Sequence, residues 1–179
     1  MPAQPKREVH TETIDPVDAI QAAWRRERSD IDVSSIAILT RAMLIGRHLA
    51  AARTRALADL GTDAATLDVL ATLRRAGSPH RLRASQIASA TRVSAGAVSQ
   101  RVERLERAGL VRRLIDEDDR RGVVVTLTKK GRHLIDSVVG GLMERESKLL
   151  EPFEAPERRV LERLLTRWLR WLDQQAGIP

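Results

Sequence analysis

Apolar positions between Ile87 and Leu127 change period twice, and the changes divide the segment into elements. Ile87 and Ala88 give a short helical pattern its apolar face, and Thr91-Arg92-Val93 closes it. Val98, Val102 and Leu105 recur at i, i+4 and i+7, which predicts a second helix with one buried stripe. Ser94 stands where an N-cap is needed, its hydroxyl free to accept an amide that has no partner inside the helix. Gly109 can end that helix in the left-handed conformation, with Leu110 folding back as an apolar contact. Strand patterns follow: Leu110-Val111 and Leu114-Ile115, then the β-branched run Val123 to Thr128. Asp116 to Gly122 forms a polar connection between them, read either as an ordinary charged loop or as a hairpin tip. Directly after two helices and a tight turn, the hairpin reading gives a winged helix-turn-helix.

The flanks are helical. Asp15-Pro16 supplies a cap and a first-turn proline, and Val17, Ile20, Ala23 and Trp24 share a face. Ser34-Ser35 is read as the cap of a long helix reaching Leu60, with apolar residues on two sides and so two buried sides, one of them available to a second subunit. Thr62 is read as the cap of a helix from Asp63 to Arg75 that buries Leu67, Leu70 and Leu73. Arg81-Leu82-Arg83 is a short strand candidate that completes the wing sheet. A helix from Gly131 to about Pro152 and another from Pro156 carry wide apolar stripes. The expected class is mainly α with a small β wing: a winged helix-turn-helix plus a helical dimerisation region. The expected divisions are a disordered tail at 1–13, N-terminal helices at 14–60, the winged helix at 61–130 and C-terminal helices at 131–179. Long apolar helices at both ends suggest a homodimer; the alternative is a monomer whose terminal helices cover its own core.

Composition sharpens the picture. The 179 residues carry a net charge of +7, and residues 81–133 hold 13 Lys+Arg against 6 Asp+Glu, leaving 18 of each sign elsewhere. All excess charge therefore lies in the winged segment, which is the electrostatic footprint of a polyanion partner. There is no Cys, which excludes disulfides and a thiolate metal site. Aromatic residues are 2% of the chain, so the core must be aliphatic. No apolar run is long enough for a membrane span and no apolar leader opens the chain, so a cytoplasmic protein with no membrane partner is expected.

The stretch from Ser94 to Leu105, followed by Ala108-Gly109-Leu110-Val111-Arg112-Arg113, Asp118-Asp119-Arg120-Arg121-Gly122 and Leu127-Thr128-Lys129-Lys130-Gly131, resembles the MarR family of winged-helix transcription regulators. The resemblance extends from about Ser35 to about Leu172. Some members of that family sense oxidants through Cys, a route closed to this chain. The residue types fit double-stranded DNA as the partner. Ser94, Ala95 and Gly96 are small enough for close approach to a major groove. Gln100 suits adenine, and Ser99 suits a base or a phosphate. Gln100 can equally be an ordinary solvated residue. Arg92, Arg104, Lys129 and Lys130 are candidate phosphate contacts. Arg120 and Arg121 lie where the family places an arginine in the minor groove, with Arg121 preferred and Asp116 or Asp119 as a pairing partner.

The chain also resembles urate-responsive MarR proteins, which have an added N-terminal helix. That resemblance implies a site for a small aromatic or anionic effector at Trp24, Asp68, Arg101 and Arg113. The same residues also satisfy a structural ion pair and a packed Trp. Other chemistry finds no support: the four His have no metal-ligand spacing, and nucleotide-binding and nucleophile-elbow motifs are absent. No cofactor, metal or catalytic residue is expected. The reading is a non-enzymatic regulator, a repressor released from a palindromic operator by its effector; the alternative is a ligand-independent architectural DNA-binding protein.

Overall fold

The computed structural model describes residues 15–115 and 122–175, so the expected tail and the wing tip lie outside the described residues. The chain forms two compact units, Met1–Ala52 and Arg53–Pro179, divided inside one long helix.

In the first unit, Asp15 caps α1 (Pro16–Glu27), its carboxylate accepting the Val17 amide at 2.8 Å. Arg41 then clamps this negative end, with Nε 2.7 Å from Asp15 and Nη2 2.8 Å from Asp18. The face shared by Val17, Ile20, Ala23 and Trp24 is covered only in part. Val17 is buried with Gln21, while Ile20 and Trp24 are 45% and 48% exposed. Gln21 tolerates burial because its side-chain amide donates to the Val33 carbonyl at 3.0 Å. The long helix α2 (Ser34–Asp59) is tied at its start by Asp32, not by Ser34 or Ser35. The Asp32 carboxylate accepts from the Ser34 amide at 2.8 Å and from its hydroxyl at 2.9 Å. Burial on two sides is not met within one chain, since Ile38, Leu39, Met43, Ile45 and Leu49 are exposed.

In the second unit, Ala56 and Leu57 at the end of α2 enter a core built on α3 (Ala64–Arg75). The α3 cap is Asp63, whose carboxylate accepts the Thr66 amide at 2.7 Å; a carboxylate at that position displaces the expected Thr62. Strand β1 (Arg81–Arg83) leads into α4 (Ala84–Thr91) and α5 (Ala95–Arg107). Strands β2 (Val111–Ile115) and β3 (Val123–Leu127) complete an antiparallel sheet of order β1-β3-β2. Leu82 pairs with Val125, and Arg113 pairs with the same residue from the other side. Leu70, Leu73, Ile87, Val98, Leu105, Val111 and Val125 form the shared aliphatic core.

Helix α6 (Lys129–Lys148) is capped by Thr128, whose hydroxyl accepts the Gly131 amide at 3.0 Å. Gly131 permits the approach of α6 to the core, because a Cβ there would lie 2.0 Å from the Leu110 carbonyl oxygen. Ile135, Val138 and Leu142 of α6 join the same core. The last helix, α7 (Ala155–Gln175), buries no residue. Among the described residues, no helix is long and apolar enough to cross a membrane.

Candidate nucleic-acid interface

The two helices of the reader meet through a turn that the sequence encodes residue by residue. Arg92 ends α4 in the left-handed region at φ +53°, and the Val93 amide reaches back to the Ala88 carbonyl at 3.2 Å. Ser94 caps α5 as expected, its hydroxyl accepting the Ala97 amide at 3.3 Å. Val98, Val102 and Leu105 are buried, which turns the opposite side of α5 outward. Ser94, Ala95, Gly96, Ser99 and Gln100 are all exposed there.

The far end of α5 is closed by Gly109 at φ +71°. The Leu110 amide bonds the Leu105 carbonyl, and the Gly109 amide bonds the Glu106 carbonyl, both at 2.9 Å. This pair of bonds satisfies carbonyls that the helix leaves open and points the chain into β2. Lys130 adds a donor to the same end, its ammonium 2.9 Å from the Ala108 carbonyl.

Three of the candidate arginines are tied down by carboxylates. Arg101 Nη1 lies 3.1 Å from Asp68 Oδ2, so these two of the four expected effector residues come together. Arg104 turns toward α3, with Nη2 3.2 Å from Asp63 and 3.1 Å from the Thr66 hydroxyl. Arg113 is drawn to Glu106 instead of Asp68: its backbone amide donates at 2.8 Å and its Nε at 2.7 Å. Trp24 belongs to the other unit, half exposed on α1. Arg92 and Lys129 are exposed. Arg120, Arg121, Asp116 and Asp119 lie outside the described residues.

The charges of this network follow from its bonds. Burial pushes the Asp63 carboxyl up, but the Thr66 amide and Arg104 outweigh it and hold the group below the ordinary Asp range. The Arg113 amide, and then its guanidinium, hold Glu106 below the ordinary Glu range. Glu106 is a site residue that helical spacing alone does not flag, because its role depends on the β2 backbone folding back over the end of α5. Asp63 was legible as a carboxylate just before an apolar helix.

The MarR family profile matches residues 60–122, a span that begins just after α2 and takes in α3, β1, α4, α5 and β2. The chain is 36% identical over 151 residues to the HTH-type transcriptional regulator PecS of Dickeya dadantii, covering 84% of this chain and 91% of that protein. The chain belongs to the MarR family. Among solved structures, a Cys-to-Ser variant of MarR from E. coli in complex with operator DNA superposes with a TM-score of 0.64 at 26% identity, over 78% of this chain and 99% of that one. AbsC of Streptomyces coelicolor, a MarR family regulator, shares the fold with a TM-score of 0.65 at 24% identity, over 88% of this chain and 96% of that one. As a MarR-family member, the protein is a winged-helix DNA-binding transcription regulator and not an enzyme.

Proposed function

We propose that this MarR-family protein is a dimeric repressor that leaves a palindromic operator when a small aromatic or anionic effector binds. One observation carries the DNA reading: α5 exposes only small or amide-bearing side chains, Ser94, Ala95, Gly96, Ser99 and Gln100, over its capped N-terminal half. That half enters the major groove, with Gln100 on a base edge and one wing arginine, Arg121 in preference to Arg120, in the minor groove. Arg92 and Lys129 contact phosphates. Arg104 reaches a phosphate only by leaving Asp63. The apolar stripe of α7, with Leu164, Leu165, Leu169 and Leu172 all exposed, supports a second copy of the chain as partner.

The Asp68–Arg101 pair supports the effector reading. Arg101 stands on the reading helix and Asp68 on the scaffold helix behind it. A planar anion that takes Arg101 from Asp68 changes what holds α5, and its effect on DNA is bounded by its differential affinity for the two states, about 1–3 kcal/mol. Arg113, after exchange from Glu106, is the remaining proposed contact on this unit.

A duplex selected by the protein from a random-sequence pool tests both parts. Gln100→Ala should lose about 1–3 kcal/mol on that duplex and relax preference at one base pair. Calorimetry with urate and salicylate should detect binding to the DNA-free protein and its loss in Arg113→Ala. A wild type that selects no sequence refutes the operator reading, and one that binds neither anion refutes the effector reading for those probes.

A further inference from the structure

Strand register gathers three arginines on the outer face of the wing sheet. Arg81 pairs with Thr126, and Thr126 with Arg112, so these three form one row across β1, β3 and β2. The next row is Arg83, Val124 and Leu114. Side chains of register partners share a face, and residues two apart along a strand do so as well. The intervening row, Leu82, Val125 and Arg113, belongs to the opposite face, where Val125 is 0% exposed against the core. The outer face therefore carries Arg81, Arg83 and Arg112, all exposed, and no acidic residue among the described residues of the three strands. Arg81 and Arg112 stand two strand spacings apart, roughly 10 Å, and Arg83 roughly 7 Å along from Arg81. Neither Arg81 nor Arg112 forms an ion pair among the described residues.

Arg81 and Arg112 stand on the two outer strands with the neutral Thr126 between them, so this face presents separated cations that an anionic surface would neutralise. Arg112 and Thr126 also border an open concavity of about 600 Å³ whose rim includes Lys129 and Lys130 together with Glu106 of α5, whose carboxylate is engaged by Arg113. The recognition helix lies on the other side of the sheet. It packs on β2, and Arg113 of the inner face is bonded to Glu106 of α5. A groove that holds α5 cannot also meet the outer face. The phosphates open to that face are those of duplex continuing past the wing.

We propose that the outer face of the wing sheet, through Arg81 and Arg112, contacts the sugar-phosphate backbone of DNA flanking the operator. This rests on the DNA-reading assignment of α5 and lengthens its footprint without adding base specificity. Each phosphate neutralised contributes about 0.9 to the slope of log affinity against log salt.

The test compares two duplexes carrying the sequence selected from the random pool. One is trimmed to the two half-sites, about 20 bp, and the other is extended by about one helical turn of mixed sequence at each end. The wild type should bind the longer duplex more tightly and with a salt slope steeper by about two to four units, since two arginines on each of two protomers are engaged. Arg81→Gln/Arg112→Gln should match the wild type on the short duplex and show no gain on the long one. Arg81→Lys/Arg112→Lys keeps the charges and should keep the gain. A wild-type slope that does not change with duplex length overturns the inference and leaves the face to an acidic protein. A Gln variant that keeps the full gain overturns it too, as does a Lys variant that loses the gain as completely as the Gln variant, because the effect is then not electrostatic. A wild type that binds neither duplex is a different failure: it removes the DNA reading of α5 as well.

Discussion

Arg101 of α5 and Asp68 of α3 are joined by a contact of 3.1 Å between Nη1 and Oδ2, with side chains 24% and 45% exposed. The reading helix is thus held to the scaffold by a bond that water can reach. Partly exposed pairs of this kind contribute up to about 1 kcal/mol. Asp68→Asn should therefore lower stability by no more than that while freeing Arg101 for an anion. Chemical denaturation and anion titration of the same variant check this. A loss of several kcal/mol, with no change in anion affinity, would make the pair structural.

Asp63 serves two partners, the Thr66 amide and Arg104. Its pKa is depressed in the folded state, so its stabilisation is complete above the unfolded Asp value of about 3.9 and is lost as pH falls through the lower folded value. Asp63→Ala should cost about 1 kcal/mol at neutral pH, the usual loss for a helix cap. The gap between the variant and the wild type should close below about pH 4. Urea denaturation across pH 2.5–7 measures the gap, and a gap independent of pH would contradict the assignment.

Glu106 receives both the backbone and the side chain of Arg113, which fixes the first strand of the wing against the end of α5. Glu106→Gln keeps an acceptor for the amide and removes the charge that holds the guanidinium. DNA affinity should fall several-fold with the thermal midpoint little changed, since the group is only half-buried and outside the core. Equal affinity for wild type and variant would show that the wing finds its position without this bond.

Gly131 has no room for a side chain, its virtual Cβ lying 2.0 Å from the Leu110 carbonyl oxygen. Backbone cannot rotate away as a side chain can, so Gly131→Ala must displace α6. The cost should reach the upper end of the roughly 1–3 kcal/mol typical of overpacking. Calorimetric melting gives the value, and a midpoint equal to that of the wild type would refute the close approach.

Helix α7 has no buried residue, yet Leu165 and Leu169 stand one turn apart on its apolar stripe. Leu165→Glu/Leu169→Glu should convert the proposed dimer to monomer and abolish binding to the selected palindrome. Sedimentation of the variant checks the first effect and gel shift the second. A dimeric variant would place the interface elsewhere.

The sequence by itself determined the reader. Ser94, the Val98–Val102–Leu105 stripe, Gly109 and the β-branched run at Val123 each act within a few residues, so their spacing suffices to define the two helices, the turn and the hairpin. It determined equally that all excess positive charge lies in residues 81–133. Tertiary structure decided which carboxylate each arginine meets. Arg113 was open to Asp68 by its chemistry, but the chain reversal at Gly109 lays β2 beside Glu106 and settles the pairing. Arg104 turns to Asp63 because α5 crosses the capped end of α3, a crossing that no periodicity encodes. Register alone sets Arg81 beside Thr126 and Arg112, since a shift of one residue would send all three to the other face. The described residues of one chain do not fully cover Ile20, Trp24 and the apolar sides of α2, because a sequence pattern records which faces avoid water, not whether the same chain supplies the cover.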